Sequence, residues 1–273
     1  SVCGSTVKET DFFRNGYSGD HSNDALQYVK YFANHCGQKT IVMEASPGYL
    51  GSGMEVAPRI HALIPQTKLL FILRNPVDRM YSSFNFHVGK LNIRKDMPFS
   101  EYIDQCIAYD SGQKSAAELG MDEWYLKVIS YGQYAEYLKY YYQCFPAKQI
   151  KIMFFEDMNR DILGFMQELC QFLEIPSDYF ADYDFKKINV TYESRLKWLH
   201  KMAVWFNAKS ERFLRQRPQL KQLLVDLYKK TNQAREGYDQ ISDQDYARLK
   251  QYYAPSVDSL RVLIENRTIP WNM

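Results

Sequence analysis

The chain lacks any long apolar run. A helix that spans a bilayer needs about 20 consecutive apolar residues, and no such stretch occurs in its 273 residues. No leader-type pattern shows at its first residues. The sequence as given therefore reads as soluble, a trimmed longer chain being equally compatible. Neither sign of charge dominates. The 34 Lys and Arg against 32 Asp and Glu leave a net +2, which gives no bulk field to gather nucleic acid or another polyanion. Also missing are a Ser/His/Asp signature, a Walker-type Gly-Lys-Ser/Thr loop, a dinucleotide Gly-x-Gly-x-x-Gly and any metal-ligand spacing. The histidines, His21, His35, His61, His87 and His200, are scattered. The five cysteines, Cys3, Cys36, Cys106, Cys144 and Cys170, stand far apart without a Cys-x-x-Cys pair. Their odd count and spacing predict buried, inert thiols in a reducing compartment, with one bridge left open.

What is present is apolar and aromatic. Hydrophobic residues make up 46% of the chain, ample for a packed core, and there are 22 Tyr and 16 Phe. Residues 40–44 read as a short buried strand ending in a carboxylate, 57–63 as a helix with Pro58 in an early turn, and 68–73 as the next strand. Strand, helix and strand in such close succession mark a parallel βαβ unit. A third strand-like run at 149–157 follows a Tyr-rich helix over 132–145. Residues 161–173 read as an amphipathic helix with Leu163, Met166, Leu169, Cys170 and Leu173 on one stripe. From Ser194 onward the pattern is mostly helical, and Ser242 and Asp245 stand at capping-box spacing ahead of the last helix. No Gly/Pro/Ser-rich linker divides the chain. The prediction is one α/β domain over 1–273, with a central parallel sheet flanked by helices and extra helices at the C-terminus.

The most informative stretch is 69–84. An apolar run ends at Arg74, an Asn75-Pro76 turn follows, and a helix-like pattern then carries Ser82 and Ser83. Pro76 suits a first helical turn, where its missing N–H costs nothing. Arg74 at the strand end and Ser82 two turns into the helix can converge on one anion. The planar fork of Arg and the hydroxyl of Ser suit a phosphate.

Strand, Arg-Asx-Pro, then a helix with Ser eight residues after the Arg resembles the 3′-phosphate-binding segment of the sulfotransferases. These enzymes use 3′-phosphoadenosine 5′-phosphosulfate (PAPS) and release 3′-phosphoadenosine 5′-phosphate (PAP). The resemblance to the heparan-sulfate-type and bacterial branch extends to Lys8-Glu9-Thr10-Asp11-Phe12-Phe13, like that branch's Lys-Glu-x-x-Phe-Phe. It implies Glu9 as general base, and the adjacent Lys8 would favour the ionised form. Asp11 stands where some relatives carry His. Glu44-Ala45-Ser46-Pro47-Gly48-Tyr49 is similar to the Glu-Lys-Ser/Thr-Pro-x-Tyr segment at a strand end. Ligands gather at such ends, so Glu44 and Ser46 become substrate-lining candidates; Ala45 replaces the family's Lys. His87, beyond the phosphate-site helix, is the histidine placed to meet an acceptor. Arg195 and Lys197 fall where relatives carry a loop over the nucleotide, and are candidate nucleotide contacts.

One family element has no counterpart. The Gly-x-x-Lys loop that cradles the 5′-phosphosulfate is absent ahead of Lys8, and the reading favoured is that residues between Cys3 and Val7 are missing from the sequence, with Val2-Cys3-Gly4 left of the first strand. The resemblance implies a P-loop-like α/β fold and sulfuryl transfer to a hydroxyl or amine of a small-molecule or carbohydrate acceptor. No metal is needed, since Lys and Arg supply the positive field. A nucleotide- or carbohydrate-binding module without turnover is the alternative. A phosphotransferase would need Mg²⁺ ligands that are not visible. The cysteine pattern favours the cytoplasm, and a trimmed chain would allow the Golgi lumen. Acceptor and oligomeric state stay open.

Overall fold

The computed structural model describes residues 2–32, 36, 41–185, 240–265 and 267–273, and the backbone alone of 192–194 and 233–236. Arg195 and Lys197, and most of the helical pattern expected after Ser194, lie outside these residues.

In chain order come β1 (Val2–Gly4), a single π-helical turn (Phe12–Gly16), α1 (His21–Val29), β2 (Ile41–Met43), α2 (Gly48–Gly51), α3 (Gly53–Leu63), β3 (Leu69–Leu73) and α4 (Pro76–Gly89). Then follow α5 (Phe99–Asp110), α6 (Ala116–Leu119), α7 (Glu123–Leu126), α8 (Tyr134–Cys144), β4 (Ile150–Phe154), α9 (Phe155–Arg160), α10 (Ile162–Leu173), β5 (Tyr192–Ser194), β6 (Gln233–Glu236) and α11 (Asp243–Leu263). The class is α/β. β1 runs parallel to β2, from Val2 opposite Ile41 to Gly4 opposite Met43. β3 runs parallel to β4, from Leu69 opposite Ile150 to Leu73 opposite Phe154. A parallel pair needs a long crossover, and helices α4 to α8 supply it between β3 and β4. β5 and β6 form a short antiparallel pair.

The expected βαβ unit is corrected in one respect. Its strand, helix and strand are all present as β2, α3 and β3, but β2 pairs with β1 and β3 with β4. The parallel sheet is therefore two parallel pairs among the described residues, each strand with one partner. Val42, Met43 and Ile72 on β2 and β3 are 49%, 51% and 49% exposed, although strands of parallel sheets are usually covered on both faces.

One buried cluster draws on residues from Phe12 to Trp271. Helical spacing explains each contribution. α4 buries Val77, Met80 and Phe84; α8 buries Tyr134, Leu138 and Tyr141; α11 buries Leu249, Tyr253, Val257 and Leu260. α3 starts at Gly53, four residues ahead of the sequence expectation, so Pro58 sits in its interior. The start is set by packing: a Cβ on Gly53 would lie 2.6 Å from the Tyr137 carbonyl oxygen of α8. The capping expectation holds at α11, and α10 has a side-chain cap as well. The Asp161 side chain accepts from the Gly164 N–H of α10, and that of Ser242 from the Asp245 N–H of α11. No helix among the described residues is long and apolar enough to cross a membrane.

The cysteine expectation is also corrected. Cys3 on β1 and Cys36 beyond α1 are joined in a disulfide, their Cα atoms 5.5 Å apart, while Cys106, Cys144 and Cys170 are free. The tertiary approach of β1 to the end of α1, not the spacing in sequence, makes the pair. Cysteine usage therefore no longer argues for a reducing compartment.

Candidate active site

The site is built around the corner where β3 gives way to α4. Asn75 caps α4, its side-chain oxygen accepting from Val77 N–H at 3.0 Å, and Pro76 follows at the first helical position. Side chains from three other elements hold the corner. Tyr134 of α8 donates its hydroxyl to the Arg74 carbonyl at 2.7 Å. Glu156 of α9 accepts the Asn75 N–H at 2.8 Å. The Asn75 amide donates to the Tyr246 hydroxyl of α11 at 3.1 Å.

The Arg74 side chain leaves this fixed corner half-buried. Its guanidinium lies 5.1 Å from the centre of the Phe155 ring, and no carboxylate of the described residues pairs with it at ion-pair distance. Asp78, one turn along α4, feels its charge. Burial pushes the Asp78 carboxyl up and Glu156 adds to this, while Arg74 opposes it. Ser82 is half-buried on the same helix, about 9 Å of rise beyond Pro76, and its hydroxyl has no hydrogen-bond partner among the described residues. Neither Arg74 nor Ser82 is sealed beneath the core.

The second part is the segment around Glu9. Glu9 and Asp11 both sit in the left-handed region, at φ 59° and 50°, on either side of Thr10. Two non-glycine residues there store backbone strain that the surroundings must hold. They are held by the chain following β2. The Thr10 hydroxyl donates to the Glu44 carboxylate and lies 3.3 Å from the Tyr49 hydroxyl. The Asp11 N–H donates to Ser46 Oγ at 3.1 Å, and the Phe13 N–H to the Tyr49 hydroxyl at 3.2 Å. Arg59 of α3 donates to the Phe13 carbonyl at 2.9 Å. Asp11 pairs with Arg14 at 3.0 Å. Lys8 and Glu9 point outward, 89% and 51% exposed, 3.8 Å from each other. Burial, with Glu44 nearby, pushes the Tyr49 hydroxyl up to about 12, so it stays protonated and able to donate.

The structure thus joins Glu9's segment to Glu44 and Ser46. α8 connects this part to the Arg74 corner: Tyr141 donates to the Tyr49 carbonyl at 2.8 Å, and Tyr134, two turns earlier, to that of Arg74. Two helical turns separate the two anchor points by about 10 Å. His87 is not part of either. It sits near the far end of α4, some 16 Å of rise from Pro76, with Asn92 donating to its Nδ1 at 3.2 Å and the Tyr125 ring 4.8 Å away. Sequence reasoning passed over Thr10, Tyr49, Phe155 and Glu156. Tyr49 and Glu156 lay inside segments already singled out, and only their long-range partners were hidden. Among the described residues no group of three or more His, Cys, Asp or Glu is arranged to hold a metal.

Comparison with known proteins decides the family. The model of the sulfotransferase domain matches residues 56–240. The chain belongs to the sulfotransferase family. The matched span of this sulfotransferase contains Arg74, Ser82, His87, Arg195 and Lys197, while Lys8, Glu9, Glu44 and Ser46 precede it. It is 30% identical over 156 residues to the bifunctional heparan sulfate N-deacetylase/N-sulfotransferase of Drosophila melanogaster, covering 55% of this chain and 14% of that protein. It is 29% identical over 133 residues to the human heparan sulfate glucosamine 3-O-sulfotransferase 3B1, covering 49% of this chain and 31% of that protein. The chain thus spans less than a third of the length of these curated relatives. The crystal structure of a sulfotransferase from Alicyclobacillus acidocaldarius shares the fold, with a TM-score of 0.61, 20% identity, and coverage of 98% of this chain and 87% of that one.

Proposed function

We propose that this sulfotransferase takes its sulfuryl group from PAPS and passes it to a hydroxyl or amine of a carbohydrate or small-molecule acceptor. The Arg74 corner carries this reading. A half-buried guanidinium at the end of β3, with no carboxylate partner among the described residues, precedes α4, whose Ser82 hydroxyl has no hydrogen-bond partner among them either. A ribose 3′-phosphate would satisfy both, the guanidinium through a bidentate, charge-assisted pair. The carbohydrate class of acceptor follows the names of the relatives. Residues 1–273 are taken as one sulfotransferase domain, supported by the buried cluster from Phe12 to Trp271.

In the reaction, the acceptor oxygen or nitrogen bonds to sulfur while the sulfur–oxygen bond to the 5′-phosphate breaks and PAP leaves. Glu9 takes the acceptor proton, with Lys8 as a cation beside the developing charge. Glu44 and Ser46 line the acceptor side, and Glu44 with Tyr49 fixes Thr10 next to Glu9. His87 is assigned to an acceptor contact on its place in the sequence, and Arg195 and Lys197 to the nucleotide on resemblance. A second reading, PAP binding without turnover, is favoured by the exposure of Lys8 and Glu9.

Calorimetric titration with PAP, followed by an acceptor screen with PAPS, tests both readings. Arg74→Ala should weaken PAP binding about ten- to a hundredfold, the range for a charged hydrogen bond; unchanged affinity removes the assignment. Glu9→Gln should lower turnover about 10²–10⁴-fold at unchanged PAP affinity. Full activity in that variant would require another base. PAP binding with no acceptor turned over would support the second reading.

A further inference from the structure

Glu156 is shared between two donors. One carboxylate oxygen accepts the Asn75 N–H at 2.8 Å, and the other accepts Trp271 Nε1–H at 2.9 Å. Trp271 is buried near the C-terminus, its ring centre 5.9 Å from that of Tyr134 and 5.3 Å from that of Phe154. Tyr134 is itself the donor to the Arg74 carbonyl. Trp271 therefore meets two of the three side chains that hold the corner, Glu156 through its N–H and Tyr134 through its ring. Glu156 is also close enough to this corner to raise Asp78, which feels Arg74 from the other side. A carboxylate bonded to the residue after Arg74 is a competitor for a guanidinium that has no carboxylate partner among the described residues. One N–H donor on each oxygen fixes the orientation of the Glu156 carboxylate, which makes no ion pair with Arg74.

We propose that Trp271 is a positioning residue which, by anchoring Glu156, keeps the Arg74 guanidinium available to an anion. Released from the indole, the carboxylate can turn toward Arg74, form an ion pair and close the site to phosphate. The inference rests on the reading that Arg74 grips the 3′-phosphate of the nucleotide.

The test is PAP calorimetry on the whole chain as a double-mutant cycle. Trp271→Phe keeps the aromatic packing and removes the N–H. It should weaken PAP binding about tenfold, equal to about 1.4 kcal/mol, when Arg74 is present and cause no further loss in an Arg74→Ala background. Adding Glu156→Gln to Trp271→Phe should restore affinity, since the amide cannot ion-pair with Arg74 and its oxygen still accepts from Asn75. Equal losses in both backgrounds, or no rescue, would mean a merely structural role and overturn the proposal. If Trp271→Phe fails to fold, hydrogen exchange on the unaltered chain carries the test. PAP must slow exchange of the Asn75 N–H, because a ligand that prefers the anchored corner stabilises it; unchanged exchange overturns the proposal. An Arg74→Ala variant that binds PAP normally would instead remove the underlying 3′-phosphate reading.

Discussion

His87 shows how a single side chain acquires a pH signature. Burial first, and then Lys90, hold its imidazole below the ordinary 6.5. Folding therefore favours the neutral ring, which the Nδ1 acceptor role toward Asn92 also requires. Its contribution to stability is fully present above pH 6.5 and is lost as the pH falls through the lower folded value. Thermal melts of the wild-type chain should lose stability over that interval, and His87→Gln should flatten that portion of the profile; parallel profiles would contradict the assignment. Legibility at this scale follows sequence separation. Arg74 and Ser82 were legible because strand end, turn and helix are contiguous. Thr10 was not, because Glu44 and Tyr49 meet it across 34 and 39 positions. Phe155 and Glu156 were hidden in the same way, Glu156 reaching Asn75 across 81.

Helices were read more accurately than strand pairing. The limits expected for α8 and α10 fall within two residues of the observed ones, because the spacing of apolar residues marks both. Strand-like runs were also found, but period-2 or continuous apolar patterns name no neighbour, so the partition into β1–β2 and β3–β4 was not foreseen. Likewise nothing in the sequence announced why α3 begins at Gly53. Its Cβ position would meet Tyr137 O at 2.6 Å and Tyr141 Cε2 at 3.0 Å, one of them rigid backbone. Gly53→Ala should force α3 and α8 apart and cost about 1–3 kcal/mol, the range for overpacking. Urea titration of the variant measures it, and a midpoint equal to wild type would show that the two helices adjust freely. Because Tyr141 and Tyr134 of α8 fasten the two halves of the candidate site, the same variant tests whether their separation is set by this contact.

Across the whole molecule, the Cys3–Cys36 bridge ties β1 to the chain just beyond α1, where, among the described residues, the only other buried side chain of its cluster is Phe32. A small apolar cluster supplies little cohesion by itself, so the covalent link, closing a separation of 33, dominates there. Replacing both cysteines by serine should cost about 2–4 kcal/mol. A reductant should lower the melting temperature of the wild-type chain and leave that of the Cys3→Ser/Cys36→Ser variant unmoved; a shift of similar size in both would refute the contribution. The pairing was unreadable beforehand because five thiols permit many partners and only tertiary approach selects one. The sides of β2 and β3 that have no partner strand among the described residues have a different consequence. Rows of peptide groups fringed by Val42, Met43 and Ile72 are a template for any extended segment that reaches them. In concentrated solution the nearest supply of such segments is other copies of the same molecule, so colloidal behaviour, more than folding, will govern how this chain is handled.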